Sequence, residues 1–102
     1  MLFHVTITHS VDNCPGFNPE LAPKSMEVGE KIPEMAKELN IKIHFFVSGL
    51  PEHVEYALLE AAGPAELAMF LSQYPYKVDF KATAVEHMAA VIEKMKPLLQ
   101  KQ

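Results

Sequence analysis

A chain of 102 residues has room for one domain and not for two. With 49% apolar and 22% charged residues it has an ordinary globular balance, and its net charge is −4. Its nine basic residues are all Lys. They form no basic stripe to neutralise phosphates and supply no guanidinium for bidentate clamping, which argues against nucleic-acid partners and nucleotide sites.

The four glycines stand alone, so no Walker-type or GxGxxG phosphate loop exists. A single Cys rules out an intrachain disulfide and fits a reducing cytoplasm. No basic segment leads into a long apolar run, so a signal peptide is not expected, and no run reaches the ~20 apolar residues of a membrane span. The expectation is a soluble cytoplasmic protein without membrane partners. A chain of this size buries only about two thirds of its unfolded surface, so a homodimer is expected to help it.

In chain order, residues 2–8 alternate between Phe3, Val5 and Ile7 on one side and His4, Thr6 and Thr8 on the other. Period two with β-branched residues predicts a strand with one apolar face. Residues 9–18 carry the polar, Pro and Gly residues of a loop, with His9, Asp12 and Cys14 among them. Asn18-Pro19 is a helix-start signal, and Pro23 delays the regular helix by about a turn. Val28, Ile32, Met35, Ala36 and Leu39 then recur at helical spacing, with Asn40 as the stop. Pro33 predicts a kink that Gly29, four residues earlier, eases.

A second strand is expected over 41–48, with Ile41, Ile43, Phe45 and Val47 on one face and Lys42, His44, Phe46 and Ser48 on the other. Gly49-Leu-Pro-Glu52 turns the chain into a third strand over about 53–61. There Val54, Tyr56, Leu58 and Glu60 oppose the small apolar Ala57, Leu59 and Ala61. Gly63-Pro64 opens a second helix that buries Leu67, Phe70 and Leu71, and Gln73-Tyr-Pro-Tyr76 ends it. A fourth strand follows over about 77–82 with Val78 and Phe80 inward. Thr83-Ala-Val-Glu86 reads as a capping box for a third helix, whose apolar stripe is Val85, Met88, Ile92, Met95 and Leu99. Pro97 unsettles its last turn.

The order βαββαβ plus a C-terminal helix predicts an α+β, ferredoxin-like domain over residues 1–102. Its four-stranded antiparallel sheet has the order 4-1-3-2 with both helices on one face. The other face carries His4, Thr6, Thr8, His44, Phe46, Tyr56, Leu58 and Glu60, too aromatic and aliphatic to be left wetted. Here the chain resembles the dimeric α/β-barrel superfamily. The alternating first strand, Glu-Tyr-Ala-Leu-Leu-Glu-Ala in the third strand and Gly-Pro-Ala-Glu-Leu at the second helix carry the likeness. Members include muconolactone isomerases, antibiotic-biosynthesis-type monooxygenases, chlorite dismutase-like haem proteins and stress-responsive barrel proteins. The resemblance implies a fold, a homodimer and a cavity between the sheets, and no particular reaction. The Thr-His-x4-Cys-Pro run at residues 8–15 resembles that of a small uncharacterised branch rather than that of a named enzyme family.

The chemistry-bearing residues divide by sheet edge. With strands one and three taken to run in the same direction, His9, Asp12, Cys14, His44 and Glu60 are expected at one edge and His4, His53 and His87 at the other. Imidazole and thiolate suit a divalent transition metal such as zinc or copper. The expected metal set is therefore His9, Cys14 and His44, with Glu60 as a fourth ligand or as a partner to one. His4, Thr6, Thr8, Phe46, Tyr56 and Leu58 line the expected small-molecule pocket. Two alternatives accompany this binding reading. One is a cofactor-independent isomerase- or monooxygenase-type enzyme with His44 and Glu60 as acid and base, burial raising the carboxyl pKa. The other is a structural or regulatory subunit. The methionines of the helices read as core filler.

Overall fold

The computed structural model describes residues 1–100. Strands β1 (Leu2–Thr8), β2 (Lys42–Gly49), β3 (Val54–Glu60) and β4 (Asp79–Val85) and helices α1 (Ala22–Glu38), α2 (Pro64–Leu71) and α3 (Met88–Gln100) follow one another as β1-α1-β2-β3-α2-β4-α3. The sheet order is β2-β3-β1-β4 and every neighbouring pair is antiparallel. The fold is the expected α+β arrangement, ferredoxin-like in element order and strand order. None of the described helices is long and apolar enough to cross a membrane.

One consequence of the pairing reverses the expected strand directions. In an antiparallel sheet with β1 beside β3, the two central strands must oppose one another. The register Leu2↔Glu60 to Thr8↔Val54 brings the end of β1 to the start of β3. Each edge of the sheet thereby gathers different histidines from those expected.

The core forms where alternation and helical spacing meet. Phe3, Val5 and Ile7 of β1 and Ala57 and Leu59 of β3 are buried against Ala36 of α1 and Leu67, Phe70 and Leu71 of α2. Helix α1 starts as its sequence indicates. Asn18 Oδ1 accepts the Glu20 N–H at 3.3 Å and a 3-10 turn over Pro19–Leu21 precedes the regular helix. It ends at Asn40, whose φ of 54° is left-handed. There the Ile41 N–H donates to the Ala36 carbonyl at 2.7 Å and the Asn40 N–H to the Lys37 carbonyl at 3.1 Å, a Schellman closure.

Gly29 lies inside α1, and a Cβ built there meets nothing within 4 Å. Gly29→Ala is therefore expected to stabilise the protein by about 0.5–1 kcal/mol through lower unfolded-chain entropy. Thermal unfolding measures this, and a lower melting temperature would mean that the turn of helix before Pro33 requires the glycine.

Two further expectations are corrected. The β2–β3 register shifts between Ile43 and Phe45, so His44 occupies a bulge. Beyond a bulge the inside–outside alternation changes phase. Phe46 therefore packs against the core and not in an open-face pocket, while Phe45 and Val47 take the open face at 38% and 51% exposure. The capping box does not form. Thr83 and Val85 pair with His4 and Leu2, as β-branched residues beside a central strand favour, and α3 begins only at Met88. Pro97 sits inside α3, which contributes no buried residue and leaves Met88, Ile92, Met95 and Leu99 exposed.

A candidate metal centre at the β1–β3 edge

His9 follows the last residue of β1, and its N–H donates to the His53 carbonyl at 3.3 Å. This hydrogen bond extends the β1–β3 ladder by one residue beyond Thr8↔Val54. His53 lies in the turn before β3, after a 3-10 turn over Leu50–Glu52. It adopts the left-handed conformation, φ 55° and ψ 44°, which few non-glycine residues take. That backbone directs its ring to His9, and His53 Nδ1 lies 3.4 Å from His9 Nε2.

Cys14 reaches the same point from the loop after β1. The loop is held by its own hydrogen bonds. The Cys14 N–H donates to the Val11 carbonyl at 3.1 Å, and the Cys14 carbonyl accepts the N–H groups of Phe17 at 3.0 Å and Asn18 at 2.8 Å. One donor atom each from His9, Cys14 and His53 lies within 4.8 Å of the others, and all three residues are half-buried. Phe17 packs on the His53 ring at 5.5 Å between centroids, and Tyr76 on the His9 ring at 5.3 Å.

Burial is the main cause that holds the His9 pKa below the usual 6.5. The neighbouring His53 lowers it further and Glu55 opposes. His9 Nδ1 is buried with no hydrogen-bond partner among the described residues, so a second proton on the ring gains nothing there. Both effects keep His9 as the neutral imidazole that a metal requires. They also set a pH dependence. Below about 6.5 the unfolded chain takes up a proton that the folded chain refuses, so this contribution is present above that value and is lost as pH falls through the folded pKa. The melting temperature is expected to drop between about pH 7.5 and about pH 5, less steeply in His9→Gln. Parallel pH profiles for parent and variant would show that His9 is not the group responsible.

Beside the cluster stands a polar group that the sequence reading did not single out. Glu55 lies on the helix side of β3, where it accepts the hydroxyls of Tyr74 and of Tyr76, the latter at 3.2 Å. Burial first, then Glu55, pushes both phenol pKa values well above the ordinary 10, so both remain protonated donors. A signal was available, since Glu55 alternates with Ala57, Leu59 and Ala61. A lone carboxylate on a face of small apolar residues asks for a partner.

His44 and Glu60 meet as expected, Nε2 to Oε1 at 3.1 Å, but at the opposite edge of the sheet from His9 and Cys14. The expected His9–Cys14–His44 set is not brought together, because antiparallel β1 and β3 put His53 in that position. Nor is Glu60 buried. Its side chain is 54% exposed, and the hydrogen bond from His44 is the main cause that holds its pKa below the ordinary value. The pKa rise expected of a catalytic acid is absent. His4 lies on the open face between the Phe45 and Tyr56 rings, at 6.3 and 6.2 Å. Thr6 and Leu58 are half-exposed on that face, and Thr8 is exposed at its end. No protein-family model and no curated protein sequence matches the chain.

Proposed function

We propose that the chain is a transition-metal-binding protein that holds one zinc or copper ion between His9 Nε2, His53 Nδ1 and Cys14 Sγ. The observation that carries this reading is the convergence of two imidazoles and one thiol from three separate segments. Bonds of 2.0–2.1 Å set the nitrogens of a tetrahedral zinc site about 3.3 Å apart, and the two imidazole nitrogens stand at 3.4 Å without an ion. Two imidazoles and a thiolate are borderline-to-soft donors, which favours zinc or copper over magnesium or calcium. Three protein ligands leave a coordination position open to solvent or a small molecule. Elemental analysis and zinc titration of protein without a His-tag are expected to give one ion per chain. Metal-free protein that takes up no zinc under reducing conditions overturns the reading.

The open sheet face supports the further proposal that the working unit is a homodimer, as in the dimeric α/β-barrel superfamily. Phe45, Val47, Tyr56 and Leu58 form an apolar strip that lies on the face away from α1 and α2. A second copy packing its own strip against it by two-fold symmetry covers both. Light scattering is expected to give twice the monomer mass at micromolar concentration, and a monomer there contradicts the dimer.

A further inference from the structure

We propose that the cavity between α1, α2 and the helix side of the sheet binds a small primary amine on a compact apolar or aromatic body. The cavity has a volume of about 190 Å³ and is walled by Val28, Ile32, Phe46 and Phe70, with Glu55, Tyr74 and Tyr76 at its polar end. Drug-sized pockets run from about 300 to 1,000 Å³. This one therefore suits a ligand on the order of ten non-hydrogen atoms.

Hydrogen-bond bookkeeping selects the head group. Tyr74 and Tyr76 both donate to Glu55. Ser25 Oγ, on the same wall, donates to the Leu21 carbonyl at 2.8 Å. All three hydroxyl protons are thus engaged within the protein. Beside the amide of Gln73, which donates and accepts alike, what faces a ligand is acceptor capacity, the free lone pairs of the hydroxyls and the two further positions on the Glu55 carboxylate. Among the described residues no Lys pairs with Glu55, whereas Glu27 has two and Glu86 and Glu93 have one each. An ammonium group brings three donors and the opposite charge to an acceptor-rich, anionic end. The apolar walls and the Phe46 and Phe70 rings take the body of the ligand, and the phenol faces add cation–π attraction. A carboxylate ligand meets like charge there, and a neutral alcohol offers a single donor.

This site shares Tyr76 and Glu55 with the surroundings of the metal cluster but none of its three ligands, so failure of one leaves the other standing. The test is an NMR titration of the full chain with 2-phenylethylamine, 2-phenylethanol and phenylacetate. Saturable shifts at the cavity residues are expected with the amine, weaker ones with the alcohol and none with the acid. Glu55→Gln keeps an acceptor for the two tyrosines and is expected to weaken amine binding about tenfold or more, the worth of a charged hydrogen bond, with alcohol binding unchanged. Val28→Phe fills the cavity with Glu55 intact and is expected to abolish amine binding, so a folding defect in Glu55→Gln still leaves a decisive variant. Absence of saturation with the amine, equal binding of phenylacetate, amine binding undiminished in folded Glu55→Gln, or amine binding retained in folded Val28→Phe overturns the proposal.

Discussion

Replacing His53 with glycine is expected to remove metal binding and leave the stability of the fold nearly unchanged or raised. Most ligand substitutions confound these two effects, and this one separates them. His53 holds φ at 55°, a conformation that costs a residue with a Cβ about 1–2 kcal/mol and glycine nothing. Relief of that strain offsets the lost ring contacts with His9 and Phe17. Unfolding free energy should therefore change by less than about 1 kcal/mol, or rise. Zinc affinity should fall by more than about 100-fold, since even groups that only support a ligand are worth 10–100-fold. A strained histidine at the convergence point is what a site selected for binding would retain. If the glycine variant is strongly destabilised in metal-free protein, His53 is a folding residue and the strain argument fails. Zinc affinity within a few-fold of the parent removes His53 from the site.

Leu59→Ala is expected to lower stability by about 3 kcal/mol, and the melting temperature by roughly 12–24 °C. Leu59 is 0% exposed near the end of β3, among Val5, Ile7, Ala57 and the buried residues of α1 and α2. The cost combines lost transfer energy with the cavity left behind, because a strand between two hydrogen-bonded neighbours cannot collapse to fill it. Denaturant unfolding at constant slope measures it. A loss below about 1 kcal/mol would mean that the helix face of the sheet is not the core.

Much of this architecture was legible in the residues themselves. The alternation of Phe3, Val5 and Ile7, the Asn18-Pro19 start, the Asn40 stop and Gly63-Pro64 all mark elements where they occur, because each signal is local. What failed was non-local. Directions follow from the sheet: the order 4-1-3-2 in an antiparallel sheet obliges β1 and β3 to oppose, and with that constraint applied His53 replaces His44 beside His9. The phase change at His44 depends on a bulge, which no local pattern in residues 41–48 announces. Thr83 and Val85 satisfy a capping box and a strand alike, and pairing with β1 decides between them. Glu55 has no place in the two faces read for the third strand, although its alternation with Ala57, Leu59 and Ala61 marks it as the one charge on their side.

Cobalt(II) titration tests the central claim most directly, because cobalt reports donor type and geometry together. One cobalt per chain is expected, with a near-ultraviolet sulfur-to-metal charge-transfer band and the intense visible bands of a four-coordinate site. The spectrum should vanish in Cys14→Ala and His53→Gly and persist in His44→Asn. A spectrum without the sulfur band, or one that depends on His44 and not on His53, would contradict a metal centre at the β1–β3 edge.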